Sequence, residues 1–151
     1  MVACFTENFI KSDQLALLLK PTNSTFDDFN LGDDLHIGIY DGKFHVCSFS
    51  AEGIAFDPVE NWINSLIVYS FSNTITDQNL INFCFHKKKL YSNQSYNEIQ
   101  QNCFDFVLDF LTTVTTNFVT NKKKFVEKFI KYPLARLIYD RESSVIQYFD
   151  E

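Results

Sequence analysis

Glycine and proline are scarce, four and three in 151 residues, which excludes collagen-like and Pro/Gly-rich low-complexity architectures. No apolar run approaches the roughly 18 residues of a membrane-spanning helix; the longest is Leu15 to Leu19. No basic stretch followed by an apolar core opens the chain, so a secretory leader is not expected. The cysteines are few and widely spaced (Cys4, Cys47, Cys84, Cys103). That is no compact disulfide framework, and a reducing, cytoplasmic setting is expected. Positive charge is short as well. Thirteen basic residues face nineteen acidic ones, a net charge of −6, which disfavours a general nucleic-acid binder. The two basic runs, Lys87-Lys88-Lys89 and Lys122-Lys123-Lys124, have the character of solvated loops or helix ends.

Apolar side chains are abundant. Hydrophobic residues make up 46 % of the chain and phenylalanine occurs seventeen times, a composition that packs rather than staying disordered. With no linker, repeat or low-complexity segment, residues 1–151 are expected to form a single domain.

The local patterns place strands early and helices late. Leu15 to Leu19 reads as a buried strand ended by Pro21, and Thr22 to Asp34 as a polar loop. Leu35 to Tyr40 and Lys43 to Phe49 alternate on either side of Asp41-Gly42, the dipeptide of a tight hairpin turn. Ser65 to Phe71 is another strand candidate. Ile75 to Lys87 carries Leu80, Ile81 and Cys84 at helical spacing, and Phe104, Val107, Leu108 and Leu111 repeat the pattern behind Asn102, a suitable N-cap. A helix over Lys122 to Lys131 is expected to be interrupted by Pro133, with a last helical piece from Leu134 to Tyr139. This order predicts an α+β domain, a small antiparallel sheet flanked by helices.

Two residues carry candidate chemistry. Alternation puts His36, Gly38 and Tyr40 on one face of their strand, with Leu35, Ile37 and Ile39 on the other toward the core. Gly38 leaves room beside the imidazole for a packed helix end. Cys103 falls at such an end, where the helix dipole and free amides favour a thiolate and an oxyanion. Cys103 as nucleophile and His36 as base would form a thiol enzyme's pair. Set against this, a free cysteine is commonly a small buried hydrophobe and a strand histidine often makes one ordinary hydrogen bond. A third group would orient the imidazole: Ser48 or His45, which lie on opposite faces of the next strand, or the phenol of Tyr96. His45-Val46-Cys47 and Cys84-Phe85-His86 together hold a zinc inventory, but they lack the usual knuckle spacing. No metal and no cofactor is expected.

These residues resemble permuted papain-fold proteins. The histidine precedes the cysteine by sixty-seven residues, the order of the circularly permuted branch. The broad likeness is to the PPPDE-type isopeptidases and the lecithin retinol acyltransferase/NlpC group. It rests on His36-x-Gly38-Ile39, the Gly-turn hairpin, Phe49 to Ile54, Tyr96, and Asn102-Cys103-x-x-Phe106. Over most of the chain the sequence is similar to the makorin opposite-strand protein family, in Leu18 to Thr22, Asp34 to Ile39, Phe49 to Gly53, Asn102-Cys103 and Pro133 to Leu137. The resemblance implies a permuted papain-like fold, with Cys103 and His36 as catalytic residues if the chain is an enzyme. The acyltransferase pattern has a second histidine where Cys47 or Ser48 falls here. The expectation is a cytoplasmic thiol hydrolase or acyl-transfer enzyme acting on a protein, peptide or ester substrate. The alternative is a non-catalytic module that uses exposed aromatics to bind a protein partner.

Overall fold

In a computed structural model, residues 4–10, 12–23, 25–115 and 120–150 are described. The chain forms α1 (Glu7–Ile10), β1 (Ala16–Pro21), β2 (Leu35–Tyr40), β3 (His45–Ser50), β4 (Gly53–Pro58) and β5 (Leu66–Ser70). Three helices follow: α2 (Asp77–Lys87), α3 (Cys103–Val114) and α4 (Lys122–Phe125). Wide π-type turns over Val126–Lys131 lead into α5 (Tyr132–Asp150). The five strands make one antiparallel sheet in the order β4-β3-β2-β1-β5. The expected α+β class is present.

The sheet is buried on both faces, which explains the unbroken apolar run in β1. Leu15, Leu17 and Leu19 join Ile37, Ile39, Cys47 and Phe49 beneath the helices, against Phe83, Phe106 and Phe110. Ala16 and Leu18 turn the other way, with Tyr40 and Val46, against Phe5, Val59 and Trp62. A strand covered on both sides loses the polar alternation that marks a half-exposed one. The His36-Gly38-Tyr40 face, expected to be the less apolar one, therefore has a small core of its own. Much of the phenylalanine excess disappears into these two layers, although Phe44 and Phe85 stay exposed.

Three local features depart from expectation. The β2–β3 connection is a loop over Asp41 to Phe44 rather than a two-residue turn. One carboxylate oxygen of Asp41 accepts the amides of Lys43, Phe44 and His45 at 2.7, 2.9 and 3.1 Å, an Asx-type closure, with Gly42 supplying the positive φ. Strand β4 was hidden by its composition, since Gly53, Asp57 and Pro58 are poor strand formers; it pairs along β3 from Ser50↔Gly53 to His45↔Pro58. Pro133 does not break the C-terminal helix. In an α-helix its ring would press on the carbonyl four residues back. The preceding turns are wider, with the Tyr132 amide reaching the Glu127 carbonyl, and this moves the obstructing carbonyl aside.

Gly38 is required by packing. A Cβ there would lie 2.7 Å from Val46 Cγ1 and 3.1 Å from both the Cys47 carbonyl oxygen and the Trp62 ring. Gly38→Val is expected to destabilise the domain by about 1–3 kcal/mol through overpacking, read as a lowered urea midpoint. An unchanged midpoint would contradict this close packing of Trp62 on β2.

Candidate functional site

The site begins with a helix cap. Asn102 is extended (φ −120°, ψ −168°), and its side-chain oxygen accepts the amides of Phe104 at 3.0 Å and Asp105 at 3.4 Å. Asp105 returns the bond by accepting the Asn102 amide at 2.8 Å. This reciprocal box satisfies amides that a helix start otherwise leaves open. Lys122 secures it from α4, donating to Asp105 at 2.8 Å and to the Ile99 carbonyl at 3.1 Å. Cys103 is thereby fixed as the first residue of α3.

Cys103 is 4 % exposed. Burial raises its pKa above the ordinary thiol value; the backbone amides of Ile37, Cys103 and Phe104, hydrogen-bonded toward the sulfur, pull the other way and do not fully offset it. The resting group is a thiol. The Ile37 amide is free to face it because of the sheet's register. The β2–β3 ladder pairs only Ile39↔Cys47 and Tyr40↔Val46, and the strands are unlinked toward Leu35 and Ser50. Where the ladder ends, the peptide bond joining His36 to Ile37 lies against the sulfur.

His36 leaves β2 on the opposite face. Its Nε2 is 3.0 Å from Ser48 Oγ, and its ring packs against Trp62 in a tilted arrangement with centroids 5.5 Å apart. Lys20, its direct neighbour across the β1–β2 ladder, sits 4.4 Å from the Trp62 ring centroid and donates to the Asn61 carbonyl at 3.1 Å. Burial lowers the His36 pKa, and Lys20 lowers it further against the pull of Asp57. The imidazole is neutral. Among the described residues no hydrogen bond joins it to Cys103; period-two alternation turns Ile37, not His36, toward α3. Both residues nevertheless line one open depression of about 510 Å³, together with Thr22, Asp34, Ser50 and Tyr96.

The candidate third groups separate clearly. Ser48 is the one against the imidazole. His45 is exposed, 3.7 Å from Asp41 and edge-on to Phe56. Tyr96 packs edge-on to Phe49 and lines the depression. Burial first, then the neighbouring Cys103, Glu98 and Asp34, holds its phenol above the ordinary value, so it remains a proton donor. Of the zinc inventory, only the sulfurs of Cys47 and Cys84 meet; His86 is turned back onto the Asn82 carbonyl. Among the described residues no group of three or more His, Cys, Asp or Glu side chains is placed to hold a metal.

Trp62 and Lys20 are the members that sequence reasoning missed. A lone tryptophan gave no positional signal, and Lys20 reaches the imidazole only through strand register. Three lysines of the two runs have local partners: Lys87 pairs with Asp109 at 3.3 Å, Lys88 lies 4.7 Å from the Phe85 ring centroid, and Lys122 holds the cap. No helix among the described residues is long and apolar enough to cross a membrane.

A family model described as DUF4796 C-terminal matches residues 5–143, and the chain belongs to that family. No curated protein and no solved structure matches it.

The neutral imidazole has a pH signature. Unfolding frees His36 to bind a proton that the folded chain resists, so its contribution to stability is complete above pH 6.5 and is lost as the pH falls below that value. The ring should titrate below 6.5 by NMR, and the acid-side loss of stability should shrink in His36→Asn. A wild-type ring titrating at or above 6.5 would contradict its burial.

Proposed function

We propose that this member of the DUF4796 C-terminal family is a thiol hydrolase or acyl-transfer enzyme of permuted papain-like design, with Cys103 as nucleophile and His36 as base. One observation carries the reading. The capped start of α3 holds the Cys103 sulfur among backbone amides, at the point where the β2–β3 ladder opens onto a depression shared with His36. The similarity to permuted papain-fold proteins and to the makorin opposite-strand family supports the same architecture.

The protonation states suit general-base catalysis. A protonated thiol needs an acceptor, and a neutral imidazole is one. In the reaction the imidazole swings from Ser48 through the opening and takes the Cys103 proton. The sulfur attacks the carbonyl carbon of an amide, isopeptide or ester. The Cys103 and Ile37 amides receive the oxyanion, and the imidazolium passes its proton to the departing amine or alcohol. Water or a second acceptor then releases the acyl group and restores the thiol. Ser48 holds the imidazole between turnovers, and Tyr96 offers a phenolic proton at the rim. A cytoplasmic location fits a catalytic thiol that must stay reduced.

A second reading is favoured by the near-complete burial of Cys103 and by the placement of the His36 ring on the Trp62 face. It makes the chain a non-catalytic module, offering exposed Phe44, Phe85 and Ile99 to a protein partner.

Acyl transfer from p-nitrophenyl acetate, followed by intact mass and peptide mapping, separates the two. The enzyme should carry an acetyl group on Cys103, lose it in Cys103→Ala, and form it about 10²-fold more slowly in His36→Gln. Labelling that occurs only in denaturant, or that ignores His36→Gln, would sink the catalytic reading.

A further inference from the structure

A pair of sulfurs lies away from the depression. Cys47, on β3, and Cys84, on the buried side of α2, bring their Sγ atoms to 3.5 Å within the core beneath the helices. Each sits on a different element, thirty-seven residues apart in the chain. We propose that Cys47 and Cys84 are a modification site, a dithiol that low-molecular-weight disulfides oxidise to an internal disulfide joining β3 to α2.

The geometry needs little change. A disulfide spans about 2.04 Å, so the sulfurs must close by roughly 1.5 Å. α2 is held at its start by the Thr76–Asn79 capping box and the Lys43–Asp77 ion pair at 3.0 Å, and at its end by the half-exposed Lys87–Asp109 pair at 3.3 Å, and a small shift of it over the sheet would suffice. The two thiols are also unequal. Cys47 is 0 % exposed and Cys84 9 %, beside the exposed Ile81 and Phe85 of the same helix. The bond from Cys47 draws the Cys84 thiol below its ordinary pKa despite burial, while burial, then that same bond, keeps Cys47 well above it. Cys84 is therefore the entry point and Cys47 the resolving thiol.

The exchange balances in two steps. The Cys84 thiolate attacks one sulfur of the oxidant, forming a mixed disulfide and expelling one thiolate. Cys47 then gives up its proton and its sulfur attacks Cys84 Sγ, forming the internal bond and expelling the second thiolate. Two protein thiols are oxidised and one external disulfide is reduced to two thiols.

The test uses the full chain. Fully reduced protein is equilibrated with oxidised glutathione, trapped with N-ethylmaleimide in denaturant and weighed intact. The oxidised product should take up two maleimides where the reduced chain takes up four, one for each cysteine, and dithiothreitol should restore all four. Peptide mapping should join Cys47 to Cys84, and the oxidised form should melt roughly 5–10 °C higher. Cys84→Ala should take up three maleimides whether or not it meets the oxidant. If that variant fails to fold, the Cys4→Ser, Cys103→Ser double variant replaces it and should still lock both remaining thiols. Four maleimides on the oxidised wild type, a glutathione adduct that never closes, or a link through Cys4 or Cys103 would each overturn the proposal.

Discussion

Burial of β2 on both sides is the constraint from which the rest of the arrangement follows. A strand in the middle of a two-layered core sends alternate side chains into different environments. Ile37 and Ile39 must meet the helices, while His36, Gly38 and Tyr40 must meet the Trp62 layer. The glycine is the hinge of this division, because it lets the tryptophan ring approach the strand where any side chain would intrude. The histidine inherits both its neutrality and its partner, Ser48, from the face it occupies.

The same division sets the electrostatics. Neither Cys103 nor His36 rests in its charged form, since each is withdrawn from water and neither gains a full counter-charge. Such a pair differs from a preformed thiolate–imidazolium couple. In the proposed reaction one proton must move from the thiol to the imidazole. The unladdered stretch between β2 and β3, next to the depression that both residues line, is where the proposed transfer would take place.

The fold was legible wherever a pattern had one cause. The helical spacing behind Asn102 and the β2 alternation each point to an element that is present, and the Asp41-Gly42 signal marks a connection longer than the two-residue turn it suggests. The capping box was half visible: Asn102 was a recognisable cap, but the reciprocal role of Asp105 and the grip of Lys122 depend on distant chain. Strand β4 was illegible because its pairing with β3, not its residues, stabilises it. The site was legible as a set of residue types and illegible as an arrangement. Spacing along β2 says that His36 and Ile37 diverge; only the packing of α3 says which of them meets Cys103.

The wide turns before Pro133 act on everything downstream as a phase setting. Residues 126–131 spend more chain per turn than an α-helix does, and α5 leaves them rotated by the surplus. That rotation brings Arg141 to the carbonyls of Phe26 and Phe29, at 3.2 and 3.3 Å, across more than a hundred residues of sequence. Winding the same six residues as an ordinary α-helix, with none removed, would swing Arg141 about 100° around the helix axis. The segment is thus a phase-setter as well as a spacer: how it winds decides whether the last helix can clasp the loop after β1.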